Sequence, residues 1–202
     1  IQANFIYNLK QKNEIESYDF FFDLFFGVDY HSHLGTSRGG LAVLTDEGRF
    51  EHSIHDIKNS PFRTKFERDV VEFNGNIGIG CISDFEPQPL VVRSHHGTYA
   101  ITTVGKINNV DELLQTLFDK GYVHFQEMGT GEVNATELVA ALINTKANLI
   151  DGIKYVQEIV DGSMSMLLLN QAGIYCARDR LGRTPVVIGK KAEGFCASFE
   201  NF

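Results

Sequence analysis

The order in which strand-like and helix-like segments follow one another is the feature of this sequence that most restricts its fold. An apolar helix pattern at residues 14–28 is followed by strand patterns, among them GGLAVL, NGNIGIGCIS and TYAITTVGKI. Helix patterns fill the middle of the chain, and from SMSMLLLN onward only strands and tight turns remain. Because strands and helices come in blocks and do not alternate strictly, the sequence predicts an α+β fold with antiparallel sheets covered by helices.

Asparagine residues mark the expected starts of the middle helices. Asn109 precedes Glu112 by three positions, and Asn134 precedes Glu137 by the same spacing. This is the capping-box pattern, in which the side chain of the first residue accepts a backbone N–H of the first helical turn. We therefore expect helices to begin after both asparagines, with a third helix over LIDGIKYVQEIV.

The first helix has a wide apolar face built almost entirely from aromatic residues. The chain contains sixteen phenylalanines, and several of them recur at three-to-four spacing in this segment. Such a face either packs into the core or covers an interface with another domain. Its expected members are Tyr18, Phe21, Phe22, Phe25 and Phe26.

Composition narrows the class of protein. The 202 residues are 43% hydrophobic, which suits one domain with a sizeable core. The net charge of −8 argues against a nucleic-acid partner, and no apolar stretch is long enough for a membrane span. Three cysteines without paired spacing indicate neither a disulfide framework nor a zinc site, so we expect a cytoplasmic domain without metal or cofactor.

Several motifs stand in a recognisable order along the chain. They are HSHLGTSRGGLAV, GNIGIGCIS, PQPL, AITTVGKINNVDELLQTL, NATELVAALI and CARDRLGRTPVVIGK, with CASFE at the end. Their order and spacing resemble the glutaminase domain of class II glutamine amidotransferases, in particular that of amidophosphoribosyltransferases. The resemblance implies an N-terminal-nucleophile hydrolase fold, a four-layer αββα sandwich, as a single domain over residues 1–202. It also implies a longer chain with a downstream phosphoribosyltransferase-like domain, and a homo-oligomer in the full-length protein.

The residues that this family uses for chemistry are replaced here. The family's nucleophile is an N-terminal cysteine whose thiolate attacks the glutamine amide, and in the register of the first helix Ala3 stands at its position. The arginine of the family's His-Arg-Gly loop aligns with Leu34. The oxyanion-hole asparagine aligns with Val104, and only the neighbouring glycine, Gly105, is kept.

The groups that hold the substrate's α-carboxylate and α-ammonium are replaced as well. The family's arginine aligns with Ser83, and its aspartate aligns with Ala135. A serine hydroxyl cannot reproduce a bidentate arginine–carboxylate contact. The resemblance therefore implies a degenerate amidotransferase domain that has lost glutamine hydrolysis and has a structural, regulatory or ligand-binding role.

Two enzymatic alternatives stay open. In the first, a cysteine precedes Ile1 in the natural chain, and the domain hydrolyses glutamine to supply ammonia for phosphoribosylamine formation in purine synthesis. In the second, Cys81 is the nucleophile of a different hydrolase and a histidine is its base. A free cysteine in an apolar strand is more often a small core residue.

The remaining motif residues divide into a pocket and a scaffold. The altered pocket, which could take a small-molecule ligand, comprises His31, His33, Gly35, Arg38 and Cys81. Within it, Arg38 and the backbone N–H groups of SRGG could bind an anion, or could simply form a turn. The residues expected to fix strand-to-turn geometry are Arg178, Asp179 and Gly182.

Overall fold

Two antiparallel sheets lie face to face in the computed structural model, with helices on both outer faces. The structure describes residues 2–9, 14–122, 124–125, 131–191 and 194–199, with side chains from Phe20 onward. The first sheet has six strands in the order β3-β2-β4-β1-β10-β9, and the second has four in the order β5-β6-β7-β8. The strands are β1 (Gln2–Leu9), β2 (Arg38–Leu44), β3 (Phe50–Asp56), β4 (Ile77–Ser83), β5 (Leu90–Ser94), β6 (Gly97–Ile107), β7 (Gly162–Asn170), β8 (Gly173–Ala177), β9 (Val187–Lys190) and β10 (Gly194–Ser198).

The helices form two separate outer layers. The N-terminal pair covers the six-stranded sheet, and the other three helices pack on the four-stranded sheet. A short 3-10 helix at His31–His33 leads from the first helix toward β2. The helices are α1 (Glu14–Tyr30), α2 (Phe62–Glu72), α3 (Val110–Asp119), α4 (Ala135–Ile143) and α5 (Leu149–Ile159). The predicted αββα sandwich is confirmed.

Glycines in β4 allow α1 to lie close against the first sheet. A β-carbon at Gly80 would come within 2.5 Å of Val28, and one at Gly78 within 2.8 Å of Leu24. The opposite face of β4 carries Ile77 and Ile79, which pack between the two sheets. One face of the glycine-rich strand β4 therefore allows close packing of α1, and the other face belongs to the core between the sheets.

The buried face of α1 differs from the sequence expectation. Phe21 and Phe25 are buried as expected, but Phe22 and Phe26 are 43% and 46% exposed. Phe20, Leu24 and Val28 fill the core in their place, because this stripe is the one directed at the β4 glycines. The side chain of Tyr18 lies outside the described residues.

Of the two asparagines predicted to cap helices, one caps its helix and the other does not. Asn134 caps α4, since its Oδ1 accepts the backbone N–H of Glu137 at 3.0 Å. Asn109 precedes α3 without capping it. Its side chain instead accepts the backbone N–H of Asp161 and donates to the carbonyl oxygen of Ile159, both at 3.0 Å. The capping prediction for Asn109 is therefore wrong, because its amide joins the end of α5 to the start of α3.

None of the helices in the described part of the chain is both long and apolar enough to cross a membrane.

Candidate functional site

The C-terminal end of β4 is where the candidate site positions from distant parts of the sequence come together. Ser83, the last residue of β4, is paired with Gln2 of β1 on one side and with Arg38 of β2 on the other. Ala3 is paired with Ile82, one position back. The backbone register thus places the candidate nucleophile and α-carboxylate positions beside each other, although the side chain of Ala3 lies outside the described residues.

The loop that leads into β2 is held by an acid directly after β4. Oδ1 of Asp84 accepts the backbone N–H groups of Thr36 at 2.7 Å and Ser37 at 3.1 Å. Partial burial works to raise the pKa of this carboxyl, but the hydrogen bonds outweigh it and hold the pKa below its usual range. The backbone N–H groups beside Arg38 therefore already bind an anion, and that anion belongs to the chain itself.

A second acid of the same segment reaches the other sheet's helix layer. The carboxylate of Glu86 is buried and accepts the backbone N–H of Ala135 at 3.0 Å. It also accepts hydrogen bonds from the Thr136 hydroxyl at 3.3 Å and the Gln88 side-chain amide at 3.0 Å. A negative charge at the N-terminus of α4 is favourable because the helix dipole is positive there. Ala135, the candidate α-ammonium position, is thus bound through its backbone N–H by the Glu86 carboxylate, which connects the loop after β4 to the start of α4.

The next polar side chain of the segment reaches β6. Oε1 of Gln88 accepts the backbone N–H of Thr103 at 2.7 Å, and the Thr103 and Thr136 hydroxyls are 2.6 Å apart. Ser83, Glu86, Gln88, Thr103 and Thr136 are all buried. Residues 83–88 therefore connect the end of the first sheet with β6 and α4 of the other half of the sandwich.

The two oxyanion-hole positions lie within β6, directly after Thr103. Val104 packs against the apolar core between the sheets. Gly105 has φ = 147°, and a β-carbon there would lie 1.9 Å from the carbonyl oxygen of Ser163. Only glycine fits this approach. The segment that resembles the family's turn is thus strand in this chain, with Gly105 paired to Met164 of β7.

The polar side chains expected in the altered pocket, those of His31, His33 and Arg38, each hydrogen-bond a different neighbour. His31 is buried, with Nδ1 2.6 Å from the carbonyl oxygen of Gly27 and Nε2 3.1 Å from the Ser198 hydroxyl. His33 is exposed and its Nδ1 lies 2.5 Å from the carbonyl oxygen of Tyr30. Leu34 follows at the end of the 3-10 helix, and Gly35 is buried in the loop after it. Arg38 donates from Nη1 to the carbonyl oxygen of Phe85 at 2.5 Å.

Cys81 has the surroundings of a core cysteine. It is 1% exposed in the middle of β4. Burial, and to a lesser extent the negative charge of Glu86, raise the pKa of its thiol. Because the thiolate is the reactive form, a buried thiol near a carboxylate is unsuited to nucleophilic attack at neutral pH.

The other histidine pair of the sequence lies elsewhere. His95 and His96 form the turn between β5 and β6, and Nε2 of His95 is 3.0 Å from the carbonyl oxygen of Lys146. Burial and the neighbouring His95 lower the pKa of His96. In the described part of the chain, histidine, cysteine and acidic side chains form no cluster that could hold a metal ion.

The turn after β8 is organised around one buried carboxylate. Asp179 accepts the backbone N–H groups of Leu181 at 2.9 Å, Arg183 at 3.2 Å and Thr184 at 3.1 Å. Its own N–H donates to the Ser165 hydroxyl at 3.0 Å. Gly182 takes the left-handed conformation in this turn, with φ = 64°. Arg178, the residue before Asp179, is exposed.

Sequence reasoning did not single out the acids and amides that hold the site together. Glu86 stands in no motif, and its partners become visible only when β6 and α4 are placed in space. Gln88 lies in PQPL and Thr136 in NATELVAALI, so their motifs indicated a relevant position without indicating the contact.

Comparison with known proteins assigns this arrangement to a family. A family model described as a glutamine amidotransferase domain matches residues 76–200, more than half of the chain. The amidophosphoribosyltransferase of Methanocaldococcus jannaschii is 30% identical over 188 residues, which are 88% of this chain and 38% of the relative. That of Methanothermobacter thermautotrophicus is 26% identical over 92% of this chain and 39% of the relative. The chain spans about two fifths of the length of these curated relatives.

Solved structures share the fold at lower identity. The glutamine phosphoribosylpyrophosphate amidotransferase of B. subtilis, complexed with ADP and GMP, superposes with a TM-score of 0.75 at 20% identity, over 98% of this chain and 42% of that one. A glutamine aminotransferase class-II domain protein from Silicibacter pomeroyi gives a TM-score of 0.63 at 11% identity, over 97% and 87%. With the sandwich, the order of motifs and the family model in agreement, the chain belongs to the glutamine amidotransferase domain family.

Proposed function

We propose that this is a degenerate glutamine amidotransferase domain of an amidophosphoribosyltransferase-related protein, in which the glutaminase site has been converted into a structural or ligand-binding region. The observation that carries the proposal is that one short segment, residues 82–88, contacts the backbone at or beside the candidate positions. Ile82 is paired with Ala3 in the sheet, Ser83 is itself a candidate position, and the Glu86 carboxylate accepts the backbone N–H of Ala135. Gln88 then binds the residue before Val104.

The chemistry present around that segment supports the loss of glutaminase activity. Alanine, leucine and valine at positions 3, 34 and 104 supply neither a nucleophile nor an oxyanion donor from their side chains. The Ser83 hydroxyl accepts the backbone N–H of Phe85 at 3.3 Å and carries no charge for a carboxylate. The acids of the segment, Asp84 and Glu86, are engaged with backbone N–H groups of the protein.

The partners of the domain follow from the same proposal. The curated relatives are amidophosphoribosyltransferases and are more than twice the length of this chain. We propose as its partner a phosphoribosyltransferase-like domain in the same polypeptide, in a protein related to purine synthesis, or a small-molecule ligand at the altered site.

The test is reaction with a glutamine-mimicking electrophile, diazo-oxonorleucine. The protein, expressed from its complete natural reading frame, is incubated with the reagent and analysed by intact mass and peptide mapping. A class II amidotransferase with an intact N-terminal cysteine serves as the positive control. We expect no adduct, and no release of glutamate from glutamine above the uncatalysed rate.

Each alternative gives its own contrary result. An adduct on a cysteine N-terminal to β1, together with glutamate release, would show an active glutaminase, and Arg38 beside Ser83 would then be the residue to test for binding the α-carboxylate. An adduct on Cys81 would show a new nucleophile on the old scaffold. Either result contradicts the proposed loss of the site.

A further inference from the structure

A groove on the outer face of the molecule is walled mainly by aromatic rings. It lies between α1 and α2 and has a volume of about 300 Å³. Cavities that hold small organic molecules begin at about this volume, and their walls are predominantly apolar and aromatic. The apolar side chains that line the groove are those of Phe21, Phe22, Phe25, Val70, Val71 and Phe73. The groove therefore has the size and the walls of a small-molecule site.

Two of these rings are held in place by a third aromatic residue of α1. The rings of Phe22 and Phe26 are stacked, with an interplanar angle of 16°. The Phe25 ring meets Phe26 edge-on, with the ring centres 5.3 Å apart. The Arg63 guanidinium, which pairs with Asp29, lies 5.4 Å from the centre of the Phe26 ring. The aromatic surface of α1 thus already contacts an organic cation, which α2 supplies.

One carboxylate, that of Glu67 in α2, completes the lining of the groove. Val70 and Val71 follow it by three and four positions, so the carboxylate lies on the same face of α2 as these apolar walls. Glu67 is exposed, and no ion pair within the described part of the chain involves it. The neighbouring Arg68 does not line the groove. The groove therefore combines aromatic walls with one negative charge that no cation of the chain neutralises.

The composition of the lining selects the kind of cation that fits. A primary ammonium carries three N–H donors, and each of them needs an acceptor when the group leaves water. The lining offers Glu67 as its polar side chain. A quaternary ammonium carries no N–H donor, and its methyl groups pack on aromatic rings whose faces are negative. Aromatic walls with a single carboxylate therefore favour a quaternary over a primary ammonium.

We propose that the groove between α1 and α2 binds a small organic molecule that carries a quaternary ammonium group on an apolar body. The positive charge lies between the Phe22 ring and the Glu67 carboxylate, and the apolar body fills the groove along Val70 and Phe73. The groove shares no residue with the candidate site at the end of β4. This inference therefore does not depend on the state of the glutaminase site.

Titrations followed by amide NMR spectra of the isotope-labelled chain measure the binding. The probes are choline, ethanolamine as its primary-amine analogue, dimethylbutanol as the neutral isostere in which carbon replaces nitrogen, and benzyltrimethylammonium. We expect choline to bind about fivefold more tightly than ethanolamine or dimethylbutanol. Benzyltrimethylammonium should bind about tenfold more tightly than choline, because its ring buries further apolar surface. The shifted amides should be those of residues 21–26 and 67–73.

Three variants identify the groups responsible. Glu67→Gln removes the charge at nearly constant volume and should weaken choline binding about fivefold while dimethylbutanol binding is unchanged. Phe22→Leu keeps an apolar side chain without a ring and should weaken choline binding about threefold. Glu72→Gln is the matched control, because Glu72 is an exposed acid of the same helix outside the lining. It should leave the affinity for every probe unchanged, and unchanged thermal unfolding shows that each variant keeps the fold.

Several results would overturn the proposal. Equal affinity for choline and dimethylbutanol would show that the groove accepts apolar molecules without regard to charge. Equal or tighter binding of ethanolamine would show that the aromatic walls do not select a quaternary ammonium. Choline binding that Glu67→Gln does not weaken, or amide shifts spread over surfaces away from α1 and α2, would show general attraction of cations to a chain with a net charge of −8.

Discussion

Asp179 is a carboxylate whose oxygens are used by the backbone that surrounds it. It is 5% exposed and accepts N–H groups from three residues of the same turn. Burial alone would raise the pKa of this carboxyl, but the hydrogen bonds from Thr184, Arg183 and Leu181 more than compensate and lower it. The ionised form of Asp179 is therefore the form that the fold requires.

We expect Asp179→Ala to lower the free energy of unfolding by about 3 kcal/mol, because several N–H groups lose a charged acceptor. Asp179→Asn keeps one acceptor oxygen and should lose about half as much. Urea denaturation at neutral pH measures both, and the exposed Asp161→Ala serves as the control, with a change within about 0.5 kcal/mol. A loss in Asp179→Ala no larger than in the control would contradict this role.

The lowered pKa also predicts a dependence on pH. A carboxyl whose pKa is lower in the folded than in the unfolded chain stabilises the fold above the unfolded value, and this stabilisation is lost as the pH falls through the folded value. The wild type should therefore lose stability below about pH 4, the ordinary range of aspartate. Asp179→Asn should show a shallower loss over the same range in denaturation measured at successive pH values.

The first helix shows that its buried face is decided by the sheet beneath it. The apolar residues of α1 extend around most of its circumference, so their spacing alone leaves more than one stripe open. The close approach to Gly78 and Gly80 selects the stripe of Phe20, Leu24 and Val28.

Two substitutions in α1 test this assignment. Leu24→Ala removes a side chain that is 1% exposed and should cost about 3 kcal/mol, the usual range for a buried leucine. Phe22→Ala removes a larger but 43% exposed side chain and should cost about 1 kcal/mol or less. Urea denaturation of the two variants shows which face of α1 is buried. The face expected from sequence periodicity contains Phe22 and not Leu24, so it predicts the larger loss of unfolding free energy for Phe22→Ala.

The caps and strands show which local features can be predicted from the sequence. Asn134 acts on a backbone group three residues away, and its role was predictable because both partners lie in the same short segment. Asn109 has the same spacing to a glutamate, but its amide binds Ile159 and Asp161 about fifty positions away, which local patterns cannot show. The edge strand β5 was not expected, because its half-buried side chains lack a clear alternation.

The two halves of the molecule are joined at the candidate site by contacts that no motif contains. The α+β class with antiparallel sheets follows from the order of the blocks, and the αββα architecture and the site positions follow from the resemblance of motifs. What the sequence does not reveal is that residues 83–88 bind the β2 loop, β6 and α4 in succession, through Asp84, Gln88 and Glu86. Each of these contacts joins residues far apart in the chain, so each depends on the packing of the whole domain.

Glu86 is the residue through which this coupling can be measured. Glu86→Ala leaves the Ala135 N–H and the Gln88 amide without their acceptor in a buried region and should cost about 3 kcal/mol. In hydrogen exchange followed by mass spectrometry, protection should fall at the start of α4 and around Thr103, while α1 and α2 keep theirs. Glu72→Ala, an exposed acid at the end of α2, is the matched control. Equal loss of protection in both helix layers would show that Glu86 stabilises the whole fold evenly, and no loss at α4 would show that the segment does not join the two halves.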